Sequence, residues 1–217
     1  MNDQREDFLE ILKLVRPGAR VLDIGCGEGA LLELLAREKQ VDGRGLEISQ
    51  AGVSAALARG LAVVQGDADR ELADYPDDAF DYAILSQTLQ TVRDPRSVLV
   101  ELLRIAKGAI VSFPNFGHWR VRASLLTKGR MPTTKALPTP WWETPNIHLC
   151  TLLDFTDLVE DLGFRIEAAS ALIRGKPARP MTPGRPLENW RAEAAIFLLT
   201  RGEQSATPIK PAPDKLI

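Results

Sequence analysis

The sequence predicts an α/β fold: a doubly wound, mainly parallel sheet of seven strands, with an irregular cover inserted after the fifth. Three observations carry this. Over residues 1–113 short apolar runs alternate with helical patterns, which calls for parallel strands joined by right-handed crossovers. The first run ends in a glycine loop that opens a helix. After Phe113 the alternation stops, and residues 114–150 contain no clean strand.

Each element has its own signal. Arg20 to Ile24 reads as a strand, and Glu28 to Glu38 as a helix with Leu31, Leu34 and Leu35 on one face. Val41 to Ile48 holds the second strand. Ser49 sits at the N-cap of a helix running to Arg59, and Gly60 stops it. Leu61 to Gln65 and Phe80 to Ser86 are the third and fourth strands. A helix from Pro95 to Ile105 follows, with proline in its first turn, and Ala109 to Phe113 is the fifth strand. Beyond the cover come a helix near Thr151 to Leu162, a strand from Arg165 to Leu172 and a last strand from Ala194 to Thr200. Residues 1–202 are expected to form one domain, and 203–217 a tail without structure.

Composition narrows the function classes. The 217 residues are 45% hydrophobic and 26% charged, as in an ordinary soluble globular protein. No apolar run approaches the roughly 20 residues that cross a bilayer. Two cysteines make neither a disulfide scaffold nor a zinc cluster, so a reducing cytoplasm is the expected setting and no metal is expected. Charge is unevenly spread. Residues 1–101 hold 19 Asp/Glu against 11 Lys/Arg, and residues 102–217 hold 10 against 16. Seven cations between Arg104 and Trp142 meet no carboxylate in sequence. Such a segment suits an anion or an acidic partner, while a pI of about 5.8 argues against nucleic acid.

The chemistry is concentrated in Asp23-Ile24-Gly25-Cys26-Gly27-Glu28-Gly29. Alternate glycines let the chain turn sharply and let a ligand lie against main-chain atoms. The helix start behind them offers unpaired N–H groups. Gly25, Gly27 and Ala30 also satisfy the dinucleotide fingerprint, so the loop alone leaves the ligand open. Two further acids sharpen it. Glu47 ends the second strand twenty residues after Gly27, where a carboxylate can accept both ribose hydroxyls. Asp67 follows the third strand, placed to accept from an adenine amino group. Asp23, read as part of the loop, suits a ligand bearing an ammonium and a sulfonium and repels a pyrophosphate. This favours S-adenosylmethionine, or its demethylated product S-adenosylhomocysteine, over a nicotinamide dinucleotide.

With these features, the chain from Val15 to Phe113 resembles the class I S-adenosylmethionine-dependent methyltransferases. The resemblance implies that the glycine loop holds the amino-acid end of the cofactor. It further implies that Ala68 lies beside the adenine ring, and that Ser86 and Gln87 border the methionine portion. Four longer blocks narrow the match: Leu85 to Gln90, Asn115 to Arg120, Gly129 to Pro132 and Thr144 to Thr151. They look like the methionine-biosynthesis MetW family, and that resemblance implies homoserine O-acyltransferase as partner. It identifies no methyl acceptor.

Two functions therefore stand side by side, an interaction protein acting with that acyltransferase and a methyltransferase acting on a small molecule. Ser86, Gln87 and Gln90 can orient groups but cannot act as bases at neutral pH. His118 and His148 have no nucleophile beside them and are read as structural. Cys26 and Cys150 are read as packed thiols. Arg120, Arg122, Arg130, Trp141 and Trp142 are the expected docking residues, since arginine and tryptophan are enriched at interface hot spots.

Overall fold

The structure is a computed structural model, and it describes residues 6–134, 136–173 and 176–202. The tail expected to be unstructured, and Lys135 of the basic segment, lie outside the described residues. The strands are β1 (Arg20–Ile24), β2 (Asp42–Glu47), β3 (Ala62–Gln65), β4 (Phe80–Ser86), β5 (Ala106–Pro114), β6 (Phe164–Leu172), β7 (Arg179–Pro180) and β8 (Ala194–Arg201). They form one sheet in the order β3-β2-β1-β4-β5-β8-β6-β7. The first five strands are parallel, and β8 runs antiparallel to both β5 and β6. All seven expected strands are present. The eighth, β7, is a two-residue edge pairing with β6, too short for a pattern in sequence.

Side chains alternate between two cores, as they must on a sheet covered on both faces. On β4, Ala83 and Leu85 belong to one core, and Tyr82 and Ile84 to the other. The first core is closed by α5 (Pro95–Ile105) and α7 (Leu152–Asp161). There Phe155 of α7 meets Phe113 of β5 and Phe197 of β8 at centroid distances of 4.8 and 4.7 Å. The second core is closed by α1 (Glu6–Leu14) and α2 (Ala30–Lys39). The remaining helices are α3 (Gln50–Ala58), the single turn α4 (Ala68–Glu71) with a 3-10 turn at Leu72–Asp74, α6 (Trp119–Lys128) and α8 (Pro186–Arg191).

The structure departs from the sequence-based expectation at several points. Asp23 lies on β1 and not in the loop, so its carboxylate belongs to a strand position that is 2% exposed. The region 114–150 is not wholly irregular, because β5 reaches Pro114 and α6 follows. Helices α1 and α8 have no counterpart in the reading, and α2 starts at Ala30, with left-handed Gly29 as its cap. The expected cap is present, since Ser49 accepts from Gly52 N ahead of α3; the capping box that Thr151 and Asp154 form ahead of α7 adds to it.

The strand order reverses between β1 and β4, which opens a crevice at the carboxyl ends of the strands. The glycine loop leaves β1 at that point.

Candidate functional site

The loop after β1 is held by β2. Gly25 N donates to Leu46 O at 2.7 Å, and Gly27 N donates to Glu47 Oε2 at 2.8 Å. The other oxygen of Glu47 accepts from Ser49 N at 2.8 Å, so one buried carboxylate ties the loop to the start of α3. Each carboxylate oxygen keeps further acceptor capacity. Gly25 and Gly27 have φ of 70° and 54°, a conformation L side chains rarely adopt. A Cβ on Gly25 would stand 2.5 Å from Thr88 Oγ1, whereas one on Gly27 would meet no atom within 4 Å. The backbone is therefore bare toward open space at Gly27. Gly29 packs differently, since a Cβ there would collide with Leu61.

Cys26, between the two glycines, is buried. Burial first, then the carboxylates of Asp23 and Glu47, push its thiol up to about 12. It is a packed, protonated group, as the sequence reading held.

A cleft of about 370 Å³ continues from the loop. Ile24, Gly25, Leu46, Ile48, Asp67 and Ala68 line one side, and Thr88, Thr91 and Pro145 lie on another. Its apolar walls suit a planar heterocycle, and Asp67 sits at its border. The Asp67 carboxylate also caps α4, accepting from Asp69 N at 3.1 Å. Ser86 does not line this cleft. Its hydroxyl donates to Asp7 of α1 at 3.0 Å, and Ser112 Oγ is 3.3 Å from the same carboxylate oxygen. Asp7 is 2% exposed and was missed in sequence, though the apolar spacing of Phe8, Ile11 and Val15 marks its helix.

The unusual downstream blocks turn out to be fastenings. Gln90 is buried; its Nε2 donates to Pro114 O at 3.1 Å and lies 3.3 Å from Cys150 Sγ, while its Oε1 accepts from Asn146 Nδ2. Its main-chain oxygen accepts from Ile147 N and His148 N. Asn115 Nδ2 donates to the carbonyls of Asn189 and Ala192 at 2.7 and 2.8 Å, and Asn115 Oδ1 accepts from Gly117 N at 2.8 Å. Asn189 Oδ1 accepts from Leu152 N. These amides pin both ends of the cover to the sheet.

The histidines are part of the same fastening. His118 caps α6 by accepting from Arg120 N at Nδ1, and burial holds its imidazole below its usual pKa. His148 Nε2 lies 3.1 Å from Arg93 O. Much of the segment's positive charge is met from outside it. Arg104 pairs with Asp77 and Glu101, and Lys107 with Asp81. Arg120 lies 3.5 Å from Glu193, and Arg122 donates to Gly117 O. Lys128 and Arg130 make no ion pair among the described residues. Trp141 and Trp142 are 69% and 67% exposed.

Solved structures share this architecture. An S-adenosylmethionine-dependent methyltransferase from Mesorhizobium loti superposes with a TM-score of 0.67 at 20% identity, covering 92% of this chain and 99% of that one. A possible histamine N-methyltransferase from Thermotoga maritima gives 0.65 at 21%, covering 91% and 90%. The fold is thus that of the class I S-adenosylmethionine-dependent methyltransferases. Within that class the chain belongs to the methionine biosynthesis protein MetW family, whose model matches residues 5–199. The bifunctional methionine biosynthesis protein MetXA/MetW of Rhodopirellula baltica is 36% identical over 170 residues, which are 74% of this chain and 27% of that protein. A ubiquinone biosynthesis O-methyltransferase of Hahella chejuensis is 37% identical over 112 residues, 49% of this chain and 46% of that enzyme. This chain therefore spans less than half the length of either relative. Among the described residues no helix is long and apolar enough to cross a membrane.

Proposed function

We propose that this protein binds S-adenosylmethionine or S-adenosylhomocysteine and acts in methionine biosynthesis as a partner that activates or regulates homoserine O-acyltransferase. The observation that carries the cofactor half is the loop strapped to Glu47, bare toward open space at Gly27 and continuous with the cleft bordered by Asp67. In this reading Gly25, Gly27 and Gly29 shape the cradle, Glu47 takes the ribose hydroxyls with its remaining acceptor capacity, and Asp67 and Ala68 flank the adenine. Asp23 supplies negative charge beneath the amino-acid end, whereas Ser86 is turned to Asp7 and takes no part. The bound cofactor would supply an electrophilic methyl group on a sulfonium. The partner half is supported by the Rhodopirellula baltica relative, which pairs MetXA with MetW in one polypeptide. On this reading the MetXA portion is the acyltransferase.

A small-molecule methyltransferase is the second reading, and one observation favours it: a second cavity shares Thr91 and Pro145 with the cofactor cleft. Methyl transfer to a good nucleophile needs little beyond alignment.

Isothermal calorimetry tests the cofactor half. S-adenosylhomocysteine should bind, and Glu47→Ala should weaken it by about 1–3 kcal/mol, as when an acceptor of buried hydroxyls is removed. Heat with a nicotinamide dinucleotide and none with either sulfur cofactor would overturn the assignment. Co-purification with the acyltransferase, with and without cofactor, tests the partner half.

A further inference from the structure

The second cavity has a volume of about 440 Å³, within the range of small-molecule pockets. The cover forms most of it, with Phe116, Met131, Leu137 and Trp141 in the wall. Although this segment is the most basic of the chain, no Asp, Glu, Lys, Arg or His lines the cavity among the described residues. Its polar groups are carboxamides and threonine hydroxyls.

One of them is unusual. Gln87 follows β4 with φ of 58°, a left-handed conformation for a non-glycine residue. The donation of Gln87 N to Ser112 O at 2.8 Å holds it there. Gln87 is exposed, and its side-chain amide, without a hydrogen-bond partner among the described residues, is open to solvent at the cavity wall. Asn146, by contrast, is engaged with Gln90. A residue held in a left-handed conformation, with a solvent-facing amide at a cavity wall, can exchange its water for a ligand contact.

We propose that this cavity binds a neutral molecule with an apolar body and one carbonyl or hydroxyl group, which hydrogen-bonds the Gln87 carboxamide. A neutral ligand is favoured because a charge would find no counter-charge among the described lining residues. Thr91 and Pro145 form part of both walls, so this ligand would lie one layer of side chains from an occupant of the neighbouring cleft. Only that last placement rests on the cofactor reading; the ligand class follows from the cavity.

Titration of the full chain with N-methylhexanamide, hexanoate and hexylammonium, followed by ligand-observed NMR, tests the inference. The amide should bind saturably and at least about tenfold more tightly than either ion, equivalent to one unpaired polar group. Gln87→Gly removes the amide while relieving the positive φ, so the fold is kept, and it should weaken amide binding about fivefold to tenfold. Thr139→Trp fills the cavity from the cover side and should abolish amide binding. An S-adenosylhomocysteine titration of that variant should be unchanged. No binding of the amide, an ion binding as tightly as the amide, or unchanged amide binding in Thr139→Trp would each overturn the proposal. Absence of S-adenosylhomocysteine binding in the parent chain would strike the cofactor reading alone, because the amide titration decides this one separately.

Discussion

At the scale of single residues, Cys26 shows how tightly the glycine loop is built. A thiol confined between Gly25 and Gly27, above the carboxylates of Asp23 and Glu47, is held protonated by burial and by negative charge. Only the thiolate attacks alkylating reagents. Moving the pKa from 9.0 to about 12 lowers the thiolate fraction at pH 8 by roughly a thousandfold. Iodoacetamide at pH 8 should accordingly leave Cys26 unmodified over hours in the folded protein, and modify it on addition of denaturant. Rapid native-state labelling at Cys26, located by peptide mapping, would show that the loop opens to solvent. The same neighbourhood marks the limit of what single residues disclosed in sequence. Glu47 was legible as the acid ending the second strand, because its spacing from the glycines follows from the βαβ geometry. Its grip on Gly27 N and Ser49 N was not, since a carboxylate's choice of donors depends on the three-dimensional turn.

At the scale of elements, α6 is the instructive case. It buries only Val121, so its sequence shows none of the apolar periodicity by which helices are recognised. What starts it is His118, a capping residue outside the usual Ser/Thr/Asp/Asn set. The cap works only while Nδ1 is unprotonated and accepts. Burial lowers the imidazole pKa in the fold, Glu193 opposes this and Arg120 adds to it. The unfolded chain therefore takes up the proton first, so stability falls as pH drops below the ordinary histidine value of about 6.5. His118→Asn keeps a side-chain acceptor at the cap but does not titrate. Urea midpoints between pH 7 and 5.5 should decline less for this variant than for the parent, and parallel declines would remove His118 from the pH response. The buried amides Gln90, Asn115 and Asn189 escaped sequence reading for a related reason. Their blocks were visible as unusual, but their partners lie dozens of residues away, on β5, α8 and the far end of the cover.

At the scale of the molecule, the parallel half of the sheet was legible because each strand, loop and helix carried its own local signal. The apparent basic excess was the least reliable guide, since acids from elsewhere in the fold neutralise Arg104, Lys107 and Arg120. Among the described residues, Arg122, Lys128 and Arg130 stay exposed without an ion pair, beside the exposed indoles of Trp141 and Trp142. Trp141 also lines the second cavity, so Trp142 separates partner docking from ligand binding. If this face meets the acyltransferase, Trp142→Ala with Arg130→Ala should weaken association by about 2 kcal/mol, the scale of a hot-spot loss, with cofactor affinity unchanged. Surface plasmon resonance against the purified acyltransferase reads this directly, and an unaltered dissociation constant would move the interface elsewhere.

The position of β8 has a consequence for synthesis. It is the last described strand in the chain, yet it lies between β5 and β6. As the chain emerges from the ribosome, two open backbone edges wait for it, one on β5 and one on β6. Unpaired edges of this kind recruit other chains. The nascent protein is thus vulnerable at these two edges until residues 194–201 insert and seal the gap.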